Sequence, residues 1–240
     1  MTAPGVLLIG AGGLGSGAAL ALGAAGLSRL GVVDDDVVDE SNLHRQVLHE
    51  EAWVGKPKVD SFRAALERRF PAMAVRVYPT RLEPQNAVAL LDEYDVVVDG
   101  SDNLGTKFLA NDAAVLTGRP LVHGAAVGTF GQLLTVPAGG RPCYRCLFEE
   151  LPPADADAPS CAEAGVLGPV PGVIGALQGV EAMRLVRGEA PAFVGRLIRY
   201  DSPVLSLRTV SFGANLRCRV CGSAPSITRL RPELYRQEAC

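Results

Sequence analysis

The sequence predicts an α/β protein: a Rossmann-like, mostly parallel sheet with helices on both faces, continued by a C-terminal antiparallel piece. Three observations lead there. The stretch from Val6 to Asp36 reads strand, glycine turn, helix, strand and acidic tip. The run Tyr94 to Asp99 is a further clear strand that ends in Gly100-Ser101-Asp102-Asn103. Finally, Leu197 to Tyr200 and Val204 to Val210 read as two strands of a closing antiparallel unit.

Each element has a local reason. Val6 to Ile9 is a continuous apolar run, as a parallel strand covered on both faces requires. Gly10, Gly12 and Gly15 follow as GxGxxG: the first allows a tight turn, the second lets backbone N–H groups approach a phosphate, and the third lets the next helix sit close to the strand. Leu14 to Ala25 is Ala- and Leu-rich, and Gly26 ends it. Arg29 to Val33 is the second strand, with Asp34 at its carboxyl end, where an acidic side chain meets a ribose hydroxyl. The arrangement predicts a nucleotide site; a ligand-free βαβ unit is the bland alternative.

A long polar connection from Asp34 to Lys58 comes next, and connections of this length usually carry function. Folded back over the glycine turn, it brings Arg45 and Lys58 to the nucleotide. A triphosphate needs such cations and a nicotinamide dinucleotide does not. Solvated surface cations are the competing reading. His44 and His49 read as ordinary loop residues. Val59 to Arg69 is a helix stopped by Pro71, Ala74 to Tyr78 a strand and Gln85 to Leu91 a short helix. Asp102 lies beyond a strand's carboxyl end, facing the crevice of the glycine turn, where its carboxylate would hold Mg²⁺. Alternatively Asp99, Ser101 or Asp102 caps the helix Leu104 to Thr117. Pro120 to Gly124 and Gln132 to Val136 are strands, the first parallel and the second antiparallel; Pro152 to Pro169 is an aperiodic loop carrying Cys161; Val170 to Arg187 is a helix of small and apolar residues.

Composition bounds the rest. The chain has 240 residues, 48% of them hydrophobic, enough for a sizeable core. A net charge of -3 and an isoelectric point near 5.7 argue against a nucleic-acid or membrane surface as main partner. With no basic, cleavable leader at the start, a cytoplasmic protein is expected. The pairs Cys143/Cys146 and Cys218/Cys221, two CxxC knuckles separated by roughly seventy residues, supply the four thiolates of a closed tetrahedral Zn²⁺ site. Disulfides are the alternative, and a reducing compartment disfavours them. No internal repeat or linker divides the chain, so a single unit over 1–240 is expected, with a nucleotide half of about 1–125 and a zinc half of about 126–225.

Taken together, GAGGLG at Gly10 to Gly15, Asp34, the SNLHRQ stretch from Ser41 to Gln46, GKPKV from Gly55 to Val59, Asp99 to Asn103, CYRC, Cys161 to Val166 and CRVC resemble the MoeB/ThiF/HesA family. These are bacterial relatives of the ubiquitin-activating enzymes, and the match runs in order from Val6 to about Cys221. The resemblance implies ATP-dependent adenylation of the C-terminal glycine carboxylate of a small ubiquitin-like sulfur carrier ending in Gly-Gly, with pyrophosphate released. It implies Gly10, Gly12, Gly13, Gly15, Asp34, Ser41, Asn42, Arg45, Lys58, Asp102 and Asn103 at the nucleotide, with Asn42, Arg45 and Lys58 on phosphates and Asp102 on Mg²⁺. It also implies a homodimer, a cysteine desulfurase or rhodanese as sulfur donor, and for Cys161 a covalent link to carrier or sulfur in some members.

Two features depart from the family pattern. A helix carrying an arginine that crosses the dimer normally precedes the first strand, and here only Met1 to Gly5 do. Lys107 stands where the family usually has arginine, and a lysine lacks the planar bidentate fork. Three rivals remain open at this level: an inactive carrier-binding relative, the tRNA-modifying dehydratase branch, and an NAD-dependent oxidoreductase. The last leaves Arg45, Lys58, Asp102 and the cysteine knuckles without a role.

Overall fold

The computed structural model describes residues 3–152 and 165–236. In chain order the elements are β1 (Val6–Ile9), α1 (Gly13–Ala24), β2 (Arg29–Val33), α2 (Lys58–Arg69), β3 (Ala74–Tyr78), α3 (Ala87–Asp92), β4 (Val96–Asp99), α4 (Leu104–Thr117), β5 (Leu121–Val127), β6 (Phe130–Val136), α5 (Pro169–Val186), β7 (Arg196–Asp201) and β8 (Ser206–Ser211). All eight strands form one sheet in the order β3-β2-β1-β4-β5-β6-β7-β8. Pairing is parallel from β3 through β5 and antiparallel from β5 through β8. The chain reverses direction across β1, so the carboxyl ends of β1, β2 and β4 open a crevice there.

Helices cover both faces. One face packs Val6, Leu8, Val32 and Val98 of the strands against Leu22 of α1, Phe62 and Leu66 of α2, and Ala182 and Met183 of α5. The other packs Leu7, Val97, Leu121 and Leu134 against Leu91 of α3, Phe108 and Leu109 of α4, and the cysteine knuckles. Phe62, Phe108 and Leu134 are fully buried, each removing from water a side chain worth roughly 1.5–3 kcal/mol.

Element boundaries differ from the sequence expectation mainly at the hairpins. β5 runs on to Val127 because β6 pairs with it down to Phe130, so register with a neighbour extends both strands beyond their apolar runs. The last strand starts at Ser206, not Val204. Pro203 has no N–H to give the ladder, so Ser202 to Leu205 become the loop, with Leu205 at φ 50° and 80% exposed. No helix among the described residues is long and apolar enough to cross a membrane.

α5 lies directly on α1, and small residues set the separation. A Cβ on Gly175 would stand 2.1 Å from the carbonyl oxygen of Leu14, and one on Gly179 would stand 2.7 Å from that of Ala18. Helix propensity favours Gly175→Ala by about 1 kcal/mol. The clash is with backbone and has no flexible atom to yield, so overpacking of ~1–3 kcal/mol or more should win. Denaturant titration of Gly175→Ala is expected to show a net loss of stability; a stabilised variant would refute the packing account.

Candidate active site

The glycine turn is built by close approach. Gly10 has φ +95°, and a side chain there would meet the Gly100 carbonyl at 2.9 Å; a Cβ on Gly15 would lie 2.1 Å from the Gly10 oxygen. α1 therefore begins hard against β1, and its extended N-cap, Gly12, has no side chain to cap the helix. The first-turn N–H groups of the helix are left for an anion, on the positive end of the dipole. Asp34 braces the turn: its Oδ2 accepts from Ala11 N–H at 2.7 Å and its Oδ1 from Asp36 N–H at 2.9 Å. Burial pushes its carboxyl above the ordinary value, against these hydrogen bonds and the Lys58 charge.

The long connection folds back, as Arg45 and Lys58 require. Lys58 N–H donates to Asp36 O, Val38 N–H to Lys56 O, and Val37 bridges Pro57. Lys58 opens α2, nearly buried, with Nζ 2.8 Å from Asp36 Oδ2. Arg45 donates to the Asn42 side chain and, at 3.4 Å, to Ser41 O. Ser41 and Asn42 are not on the cavity wall; they orient Arg45, which is. His49 is no ordinary loop residue. It is buried, with Nε2 2.8 Å from Ala11 O and Nδ1 3.0 Å from Ser61 Oγ, so it pins the connection to the glycine turn. His44 stays exposed, its Nδ1 2.9 Å from Ser41 O.

At the end of β4 the capping alternatives separate. Asn103 is the N-cap of α4, its side chain accepting from Thr106 N–H at 2.8 Å. Asp99 takes Ser101 N–H at 2.9 Å and Ser101 Oγ at 2.6 Å, while Asp102 is exposed on the cavity wall. Lys107 does not reach the cavity: its Nζ lies 3.4 Å from Asp99 Oδ2 and donates to Gly124 O at 2.7 Å. Burial alone would raise the Asp99 carboxyl, but the Lys107 ammonium, with His123 and Ser101, holds it well below the usual carboxylate range. His123 Nδ1 sits 2.7 Å from Asp99 Oδ2, off the hydrogen-bond axis. Burial, then the Lys107 charge, push its pKa down, so the ring is neutral at pH 7.

These pieces enclose a cavity of about 400 Å³. Gly10, Gly12, Gly13, Asp34, Arg45, Lys58, Asp102 and Asn103 all line it; Gly15 lies beneath it. Thr80, Arg81 and Leu82, just past β3, also line it, as does Gln46, whose buried Oε1 has no hydrogen-bond partner. Sequence reasoning missed these four. The only available signal for the first three was the rule that ligands sit beyond strand carboxyl ends, and it marks every strand alike.

The cysteines converge as their spacing predicts. Cys143 and Cys218 sulfurs lie 3.6 Å apart and those of Cys146 and Cys221 3.4 Å apart, and all four fall within 4.8 Å of one another. Tetrahedral Zn–S bonds of about 2.3 Å demand sulfur separations of about 3.8 Å, so the donor set fits a closed four-thiolate site. The first knuckle is locked to α4: Arg145 pairs with Asp112 through Nε at 2.8 Å and Nη2 at 2.9 Å, and Asn111 Oδ1 accepts from Tyr144 N–H at 2.8 Å. Tyr235 Oη donates to Asp112 at 3.0 Å, so the segment after the second knuckle closes on the same helix. Cys161 lies outside the described residues.

Fold and site define a Rossmann-like α/β protein with a glycine-turn cavity and a four-thiol cage. The chain belongs to the ThiF family, which its residues 2–220 match. It is 46% identical over 226 residues to a sulfur carrier protein adenylyltransferase of Thermus thermophilus, covering 92% of this chain and 83% of that one. It is also 44% identical to the adenylyltransferase and sulfurtransferase MOCS3 of Anopheles gambiae, over 94% of this chain. The chain spans about half the length of the MOCS3 relatives it matches. Among solved structures, Escherichia coli MccB with MccA-N7isoASN superposes with a TM-score of 0.79 at 22% identity, covering 92% of this chain and 67% of that one. MccB with ATP gives 0.75. At such identity these likenesses speak for the fold.

Two buried histidines make stability depend on pH. His49 and His123 both have pKa values lowered chiefly by burial, so the unfolded chain binds protons more readily. Their contribution is full above the unfolded value of about 6.5 and is lost as pH falls through the lowered folded values. The melting temperature is expected to be level from pH 7 to 8 and to fall below about pH 6.5, with a smaller fall in His49→Asn. A flat profile from pH 5 to 8 would contradict this.

Proposed function

We propose that the chain adenylates the C-terminal glycine carboxylate of a small ubiquitin-like sulfur-carrier protein, with ATP as co-substrate. The observation that carries the reading is one cavity in which the glycine turn, the cations Arg45, Lys58 and Arg81, and the Asp102 carboxylate converge. The identity to the Thermus thermophilus carrier adenylyltransferase supports it. A nicotinamide site would leave Arg45 and Lys58 on the cavity wall without a task.

The chemistry asks little beyond placement and charge. A carboxylate oxygen of the carrier attacks the α-phosphorus of ATP, the bond to the β-phosphate oxygen breaks, and pyrophosphate leaves; acyl-adenylate remains for later thiocarboxylate formation. The nucleophile is already ionised, so no general base is required. His49 and His123 are off the cavity wall. The α1 N-terminus and the Gly12 and Gly13 backbone take phosphate oxygens, Arg45 and Lys58 neutralise charge that grows at the α-phosphorus, and Asp34 takes the ribose. Asp102 would hold Mg²⁺, with Asn103 beside it on the cavity wall, and the ion would supply positive charge against that of the leaving pyrophosphate. The cage, with no open ligand position, would hold zinc as a staple of the carrier-binding half of about 126–225, and four cysteines outside any disulfide suit a reducing cytoplasm.

Carrier-dependent ATP–pyrophosphate exchange tests this. Lys58→Ala and Asp102→Ala are each expected to lower the exchange rate at least about a hundredfold with the fold intact, the loss expected when one electrostatic stabiliser is removed. Near-normal exchange in both would leave Lys58 as the partner of Asp36 and Asp102 as a loop carboxylate. Metal analysis of the native chain should find one zinc per protein, and Cys218→Ser should abolish binding and destabilise the fold; native protein with four freely reactive thiols would rule the cage out as a metal site.

A further inference from the structure

Beneath the loop Gly100 to Asn103 lies an ion pair that no step of adenylation uses. The Lys107 and Asp99 side chains are 5% and 0% exposed, and neither lines the cavity. A buried pair of this kind is a weak source of stability, because desolvation of two charges offsets their attraction. Its geometry points instead to the loop above. One Asp99 oxygen is occupied by both donors of Ser101, N–H at 2.9 Å and O–H at 2.6 Å, which makes an Asx turn at the crossing with Gly10. Past that turn Asp102 emerges on the cavity wall and Asn103 caps α4.

The other end of the device is anchored from three elements. Lys107, on the second turn of α4, is fixed by Gly124 O of β5 as well as by Asp99. Gln178 of α5 donates to Asp99 O at 2.7 Å and to Val122 O at 3.1 Å, so the strand end is held from the opposite face of the sheet. His123 of β5 presses against the same carboxylate. Asp99 thus cannot turn away from Ser101 without leaving the Lys107 charge buried and unpaired.

We infer that Lys107 and Asp99 are positioning residues: together they fix the Gly100–Asn103 loop so that the Asp102 carboxylate meets a metal-bound nucleotide. The inference rests on the proposed adenylation with Mg²⁺ at Asp102. It assigns the pair an effect on Mg²⁺-dependent nucleotide binding and none on the carrier.

The test uses the full zinc-loaded chain and two variants, Lys107→Arg and the double substitution Asp99→Leu with Lys107→Met. The first keeps a cation at the position; the second replaces both charges with apolar groups of similar volume. Binding of α,β-methylene-ATP with and without Mg²⁺ is measured alongside melting temperature and the KM values for ATP and carrier in exchange. Lys107→Arg should stay within about threefold of the native protein. The double variant leaves the Ser101 donors and Gly124 O without those partners, so it should fold but melt lower; it should bind Mg²⁺-nucleotide about tenfold or more weakly, with metal-free binding and the carrier KM unchanged. Native Mg²⁺-nucleotide affinity in the double variant, equal losses with and without metal, or failure of that variant to fold would each overturn the inference. Absence of exchange in the native chain would instead defeat the proposed function, and the binding measurements would still decide the role of the pair.

Discussion

The contact on which the structure depends is that of the Gly15 backbone with the carbonyl of Gly10, where no Cβ has room. It sets α1 hard against β1 and aims the N-terminal amides of the helix into the crevice. Because α1 lies so low, α5 can lie on it in turn through Gly175 and Gly179, and Gln178, between them, reaches the end of β4. A single steric requirement thereby propagates from the first strand to the last helix of the layer. The positive end of the helix dipole is thereby left facing the cavity, the arrangement that anion binding requires.

Among the described residues, two fully buried carboxylates are each held by several partners. Asp99 is held by Lys107, Ser101 and His123, and Asp112 by Arg145 and Tyr235. Removing one partner of such a pair costs on the order of 3–5 kcal/mol, whereas the intact pair adds little over an apolar filling. What the pairs supply is geometry. The first fixes a loop at the mouth of the cavity; the second fixes the Cys143 knuckle on α4, with the Arg145 guanidinium stacked 4.6 Å over Phe108. Tyr144, between the knuckle cysteines, packs 4.4 Å from the His123 ring, so the thiol cage and the Asp99–His123 cluster share one packed layer.

The antiparallel end of the sheet has a different physical character from the parallel end. β1 and β4 are buried at every position, β1 as an unbroken apolar run and β4 as three valines ending in Asp99, while β8 is exposed almost throughout and has no strand beyond it among the described residues. Leu207 and Val210 remain 60% and 45% exposed on it. Stability there comes from the hairpin pairing with β7 and from the cage nearby, not from burial of its own face.

The sequence by itself determined the fold class, the order of strands and helices, the glycine turn with its acidic partner, and the convergence of four thiols. Each of those is local or carries a fixed spacing: an apolar run, a GxGxxG, a CxxC. Tertiary structure alone decided that Asn103 and not Asp102 caps α4, that Lys107 turns inward to Asp99, that Ser41 and Asn42 orient Arg45 from off the cavity wall, and that His49 clamps the long connection. It also brought Thr80 to Leu82 to the cavity from a loop with no motif. The physical reason is the same in every case. Side-chain roles of this kind depend on which face of an element a residue takes and on what another element, tens of residues away, places opposite it; Asp99 meets Gln178 only because the Gly-lined contact of α1 and α5 lets the helix descend to the sheet.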